Sequence, residues 1–267
     1  MKRYPHLIAR LFYEPLVLTP QKHAAICQVL EAHSAVASPM LIAPPAPEEP
    51  DYDVFGETAV IPVHGILGQH LDNLEMASGG CNVATVSRMV DLASEDPSIE
   101  HIIFDFRTSG GEVTGIPELA RKIAAVDKET IGFTDSECCS GGVWLAAACQ
   151  KFYATASSHV GSIGVWCAFL DLSRQMANEG ANMQAISAGK HKLLGAYWKP
   201  LTDDEKAILQ ARVDKTFERF KAVVQSVRPV SEDVLGLALI YDGEEAASIG
   251  FTDGIVDDMD EILNGYV

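Results

Sequence analysis

The chain has 267 residues, of which 48% are hydrophobic and 21% charged, and it carries a formal net charge of −17 at pH 7. Such a length fits one large α/β domain with an appendage, or two small domains, and the acidity argues against a nucleic-acid or anionic-membrane surface, both of which need clustered Lys and Arg. The six cysteines lack C-x-x-C spacing, which suggests neither a zinc site nor a disulfide framework and fits free thiols in a reducing compartment.

Residues 1–33 read as a small helical appendage, with Thr19 placed as an N-cap and Pro20 at the first helical position. The early stretch HLIARLFYEPLVLTP is broken by Arg10, Glu14 and Pro15, so it predicts neither a signal peptide nor a membrane span. A cytoplasmic location is the expectation that follows. Residues 34–53 hold five prolines between Pro39 and Pro50, the composition of an extended, semi-rigid linker.

From 54 to 267 the pattern is α/β. TAVIPVHGIL predicts a strand ended by Gly65, and IEHIIFDFRTSGG a strand apolar enough to be buried on both faces, stopping at Gly110-Gly111. GIPELARKIAAV sets Ile116, Leu119, Ile123 and Val126 at helical spacing. TIGFTDSEC, KFYATAS, GSIGVW and ANMQAIS predict further strands, and the longest helix is expected after Thr202, with Glu205 in capping-box spacing. The last segment, from Tyr241, reads as a short helix, a return strand and a terminal helix. Strands alternating with helices imply parallel pairing.

Ser140 stands between a strand and the apolar run VWLAAACQ, just before Gly141-Gly142. A hydroxyl there lies at the positive end of a buried helix, beside unsatisfied N–H groups, which are the conditions an acyl-transfer nucleophile and its oxyanion need. Serine is also a preferred helix cap, and the local sequence taken alone favours that use. FRTSGGEVTG can turn a backbone N–H toward a developing negative charge, or be a bare strand-to-helix turn. No G-x-G-x-x-G or Walker pattern points to a nucleotide.

A serine nucleophile needs a base. His64 ends a strand, His159 lies in a loop and His191 sits between two lysines, contexts that mark none of them as a catalyst. Lys190 and Lys192 leave a strand in the glycine-punctuated SAGKHKLLGAYWKP. A lysine serves as a base only where desolvation brings its pKa from about 10.4 towards roughly 7–8; otherwise both are solvated charges. Ser162, in HVGSIGVW, could orient an amine. Cys138-Cys139 with His159 would make a thiol nucleophile, but both thiols precede the glycine turn and read better as packing residues.

Taken in order, AVIPVHGIL, FRTSGGEV, SGGVWLAAA, VGSIGV, SAGKHK and IYDGEEAASIGFTDGIVD resemble the signal peptide peptidase A family of serine proteases over roughly residues 57 to 258. The resemblance implies the ClpP–crotonase-type fold, a spiral of repeated ββα units, here with the small N-terminal helical appendage. It implies Ser140 as nucleophile and Lys192 as general base, Lys192 rather than Lys190 because GKHK aligns with the family's G-K-Y-K. Ser162 would orient the lysine, and the N–H groups of Gly111 and Gly141 would form the oxyanion hole. Ser109 stands where the family has proline and Leu193 where aspartate is usual, which bears on loop geometry and substrate contacts and removes no catalytic atom.

The opening LIARLFYEPLVLTPQKHAAICQVL with its proline-rich sequel is similar to the front end of lambda protein C-type bacteriophage capsid maturation proteases. That likeness implies a Ser–Lys endopeptidase acting on capsid, portal or scaffold proteins in the host cytoplasm or prohead interior. It also implies a homo-oligomer, a ring or dome in which a neighbouring subunit's lysine can complete a site. Neither a metal nor an organic cofactor is expected. The alternatives are a bacterial cytosolic peptidase for signal-peptide remnants, a catalytically silent scaffolding protein with this fold, and a crotonase-like acyl-CoA enzyme. The last would want a basic, adenine-binding rim that the sequence does not offer.

Overall fold

The computed structural model describes residues 15–35, 52–71, 75–76 and 79–265. The proline-rich stretch therefore lies outside the described residues, apart from its two ends. The main sheet forms because four largely apolar segments, rich in β-branched or aromatic residues, pair in parallel between two cores. These are β3 (Thr58–His64), β6 (His101–Arg107), β8 (Glu129–Thr134) and β10 (Lys151–Ala154). Short edge strands complete the order: β2 (Asp53–Phe55) runs antiparallel beside β3, and β13 (Gly254–Ile255) parallel beside β10. On one face, Ile61, Val63, Ile102, Phe104, Phe106 and Phe152 join the larger core; on the other, Val60, Ile103, Ile131 and Phe133 pack with Ile262 and Leu263.

Each long strand bends into a second, short strand. Gly65 (φ 101°) turns β3 into β4 (Ile66–Gly68), Thr108-Ser109 turns β6 into β7 (Gly110–Glu112), and β8 and β10 lead likewise to β9 (Glu137–Cys139) and β11 (His159–Gly161). The short strands make the second layer of the spiral. β4 pairs in parallel with β7 and with β5 (Gly80–Asn82), β9 with β11, and a Thr108–Cys138 bridge joins the two sets. β12 (Ile240–Asp242) closes this layer antiparallel to β11.

A helix follows three of these turns. Asn82 caps α2 (Val83–Glu95) by accepting from Ala84 N–H at 3.1 Å; α3 (Ile116–Ala124) begins after Gly115 with Pro117 in its first turn; α4 (Gly141–Ala146) follows β9 and is buried throughout. The repeated strand–strand–helix turn is the expected ββα spiral. The N-terminal segment joins it directly: β1 (Leu16–Leu18) pairs antiparallel with β7, and α1 (Pro20–Ala35) follows.

The expected strand at ANMQAIS is not formed. Residues 181–187 are exposed coil with no strand neighbour, and Ile186 is fully exposed. GSIGVW contributes only Gly161 to a strand, plus an isolated bridge at Trp166. The longest helix, α6 (Asp203–Val227), has the full capping box: Thr202 accepts from Glu205 N–H at 3.2 Å, and the Glu205 carboxylate accepts from Thr202 N–H at 3.0 Å. Helices α5 (Ser173–Asn178), α7 (Glu232–Leu237), α8 (Gly243–Ser248) and α9 (Met259–Leu263) complete the chain.

α6 reaches the core through Phe220, which stacks on Trp144 of α4 with centroids 4.6 Å apart and ring planes 12° from parallel. This stack ties the long helix to the segment that carries Ser140. Phe220→Ala is expected to cost about 3–5 kcal/mol through the cavity it leaves, lowering Tm by roughly 2–4 °C per kcal/mol for a domain of this size. Val227→Ala, at an exposed site on the same helix, should stay within about 0.5 kcal/mol. Thermal melts of both variants check the contrast.

Candidate active site

Ser140 sits where β9 gives way to α4, with φ 52° and ψ −113°. A non-glycine residue at positive φ is uncommon and costs about 1–3 kcal/mol. Among the described residues four non-glycines adopt it, and two of them are Ser140 and Ser162 (φ 57°). The Ser140 side chain is buried and makes no capping hydrogen bond to α4. Its backbone is held from both sides: Ser140 N–H donates to Gly161 O at 2.8 Å, and Trp144 N–H donates to Ser140 O at 3.2 Å. The first of these contacts brings the turn beside Ser162, whose own N–H donates to Leu239 O at 2.6 Å.

Gly110 and Gly111 pass close by, and neither could carry a side chain. A β-carbon on Gly110 (φ 95°) would lie 1.9 Å from Val17 O, and one on Gly111 would lie 1.9 Å from Leu67 O. The Gly110 position is also 2.9 Å from Gly141 N and 3.0 Å from Ser140 Cβ. The glycine loop, the start of α4 and the serine thus meet at one point.

Thr108 holds the loop there. Its hydroxyl donates to Gly65 O at 2.6 Å and accepts from Gly110 N–H at 3.0 Å. Its backbone links to β9 both ways, accepting from Cys139 N–H at 2.9 Å and donating to Glu137 O at 2.7 Å. The sequence reading passed over Thr108; its only signal was its place immediately before S-G-G.

β1 lies on this site. Thr19 N–H donates to Ser109 O at 3.3 Å and Val113 N–H to Pro15 O at 3.4 Å. Hydrogen-bonded pairs alternate along an antiparallel ladder, so the register partners Val17 and Gly111 form the bonded pair between them. On its other edge β1 meets Trp166: Leu16 N–H donates to Trp166 O at 2.8 Å, Trp166 N–H to Leu16 O at 3.1 Å, and the Trp166 indole N–H to Leu18 O at 2.8 Å.

Lys192 is exposed, and among the described residues no hydrogen bond joins it to Ser140 or Ser162; Lys190 is equally exposed and faces Asp204 at 3.4 Å. The structure brings Ser140, Gly111, Gly141 and the Ser162 turn together, while Lys192 stands exposed. A histidine does have a carboxylate partner, His64 Nε2 to Asp105 Oδ2 at 2.7 Å. Strand alternation puts His64 on the Val60 face of β3, however, whereas α4 packs on the Ile61 and Val63 face. That pair is across the sheet from Ser140.

The thiols beside Ser140 are buried. Burial pushes Cys139 up to about 12, with Glu137 adding to it, and burial first, then its neighbours Cys139, Cys149 and Glu137, holds Cys138 well above the ordinary thiol range. Cys139 Sγ donates to His159 O at 3.7 Å and does not address its ring. Among the described residues no group of three or more His, Cys, Asp or Glu is placed to hold a metal, and no helix is long and apolar enough to cross a membrane.

Two layers of short and long strands wound in ββα turns, with a serine at the head of a buried helix, define the class: the ClpP–crotonase-type fold. A ClpP1 mutant from Listeria monocytogenes superposes with a TM-score of 0.51 at 14% identity, covering 75% of this chain and 92% of that one. The family model for Peptidase family S49 matches residues 127–264, and the chain belongs to that family. It is 28% identical to capsid assembly protease C of Escherichia phage lambda over 98% of its length, and 26% identical to head-tail preconnector protein GP5 of Enterobacteria phage P21 over 96%. The chain spans 65% and 56% of those two relatives.

Two outcomes follow from this geometry. A thiol with a raised pKa stays protonated at pH 8, so iodoacetamide should leave Cys138 and Cys139 unmodified in the folded chain and label both after unfolding, as read by peptide mass mapping. Thr108→Val keeps the shape but orphans the buried Gly110 N–H, which should cost about 1–3 kcal/mol in denaturant unfolding and loosen the loop beside Ser140.

Proposed function

We propose that the chain is a serine endopeptidase working by a Ser–Lys dyad, with Ser140 as nucleophile and Lys192 as general base. The observation that carries this reading is the strained backbone of Ser140 at the head of α4, uncapped by its own hydroxyl and set against the Gly110-Gly111 loop. Strain of this kind persists where the surrounding structure enforces it, and a nucleophile on a sharp strand-to-helix turn is one use of it.

In the proposed reaction Ser140 Oγ attacks a peptide carbonyl as its proton passes to the Lys192 amine. The N–H groups of Gly111 and Gly141 stabilise the oxyanion. The ammonium then protonates the leaving amine, and water, deprotonated by the same lysine, releases the acyl group. Ser162 orients the lysine. The reaction asks for no metal or organic cofactor.

Lys192 reaches a serine, on this reading, by assembly. The segment that bears it is exposed over residues 181–192, including Met183 and the whole of Ile186, so its side chains are available to a neighbouring copy. We take the lysine to serve Ser140 of a neighbouring copy in a homo-oligomer. The likeness to capsid assembly protease C favours structural proteins of a phage head, namely capsid, portal or scaffold chains, as substrates, in the host cytoplasm or the prohead interior.

The test uses an unfolded, casein-like protein and a matching capsid protein. Ser140→Ala and Lys192→Ala should each lose roughly a thousandfold or more in kcat/KM. Mixing the two inactive variants should restore cleavage, because a hybrid pair contains one complete site; mixtures that stay inactive would place the lysine in cis or dismiss it. Cleavage surviving in Ser140→Ala removes the nucleophile assignment. An acidic limb of the pH–rate profile near 6.5 would replace the lysine with a histidine.

A further inference from the structure

The extended segment Leu16–Leu18 has a backbone partner along each edge. β7 pairs with it on one side; the Trp166 backbone and indole bond it on the other. All three side chains are buried, with Val17 in the main core. This is how a sheet edge takes up a peptide strand: main-chain hydrogen bonds hold it and apolar pockets select its side chains. Here the guest is the chain itself.

The register singles out one carbonyl. Leu16 O accepts from Trp166 N–H and Leu18 O from the Trp166 indole, so both point away from β7. Val17 O points the other way, into the bonded pair with Gly111. It lies 1.9 Å from the point where a Gly110 β-carbon would stand, a point 2.9 Å from Gly141 N and 3.0 Å from Ser140 Cβ. Of the three, only the Val17 carbonyl is turned toward the serine and the backbone N–H groups assigned to the oxyanion.

We propose that residues Pro15–Thr19 are an internal substrate, and that the chain cuts its own Val17–Leu18 peptide bond. The inference rests on Ser140 being the nucleophile. A bond forms between Ser140 Oγ and the Val17 carbonyl carbon while the serine proton passes to the base. The bond from that carbon to Leu18 N breaks, and Leu18 leaves as a free amine carrying the proton. Water then adds to the ester, releasing Val17 as a carboxylate and regenerating the serine. Nothing is oxidised or reduced.

After the cut, the new amine end is retained by Thr19 N–H on Ser109 O and by the ring contact of His23 with Trp166, 4.7 Å between centroids. The segment ending at Val17 loses its covalent tie to the rest of the chain and can then exchange for another peptide. The slot thereby also defines the favoured foreign substrate: an extended segment with apolar residues at three successive positions, entering antiparallel to β7.

Intact-mass spectrometry of the purified full chain, followed over hours under assembling conditions, is the test. The expected products are fragments 1–17 and 18–267, absent from Ser140→Ala. Leu16→Pro, which removes the N–H given to Trp166, should slow the self-cut at least tenfold and speed cleavage of added casein by emptying the slot. A wild-type chain that digests casein but stays whole at Val17–Leu18, or is cut only at other bonds, overturns the self-cleavage and leaves the endopeptidase reading standing. A folded, assembled chain that cuts neither casein nor itself overturns both.

Discussion

A serine at φ 52° and ψ −113° sits in backbone that side chains rarely tolerate, and its surroundings are what keep it there. Gly161 accepts its N–H, the first turn of α4 takes its carbonyl, and the Thr108–Cys138 bridge fixes β9 immediately before it. Behind α4 the Trp144–Phe220 stack anchors the helix that follows the turn. These contacts come from β6, β11 and α6, so the turn is set by the whole spiral. A cost of about 1–3 kcal/mol is small beside what those layers bury, and the strain can be kept permanently.

The same constraint explains the glycines. With Ser140 fixed, the loop between β6 and β7 must pass between it and β4. A β-carbon at Gly110 or Gly111 would meet a carbonyl oxygen on one side or the other. Thr108 sets the depth of the loop by bonding Gly65 O and Gly110 N–H with one hydroxyl. Alternation along β3 and β6 assigns the remaining ionisable groups: His64 and Asp105 project to the far face, and so the carboxylate that holds the histidine lies close in sequence to the glycine loop without belonging to the site.

Where burial within one chain decides the structure, the residues showed it. The run HIIFDFR reads as a strand buried on both faces, VWLAAA as a helix with no polar side, and Thr202 with Glu205 as a capping box, and each forms as its pattern implies. Patterns failed where a segment's partner is distant or is not in the chain. ANMQAIS has the alternation of a strand, yet finds no neighbour, so Ile186 stays in solvent. PLVLT is too short to show a period, and it lies between the break at Pro15 and the helix cap at Thr19; only the edge of β7 and the backbone of Trp166 make it a strand. Ser140 was legible as a serine at a helix start, and its backbone strain was not, because strain is imposed by contacts from far along the sequence.

β7 carries two obligations at once. One edge pairs with β4 and closes the second layer; the other would be bare without β1. An uncovered edge next to apolar pockets is both a peptide-binding site and an aggregation hazard. Filling it with the chain's own Leu16–Leu18 removes the hazard while the protein is monomeric. On the proposed reading the single chain is quiet for two independent reasons, a slot already filled and a base held out on an exposed segment. Assembly supplies the base first, and the strand lying in the slot is then the nearest peptide to the serine. Activation by assembly thus needs no separate activator, because the event that completes the dyad also acts on the segment that blocks it.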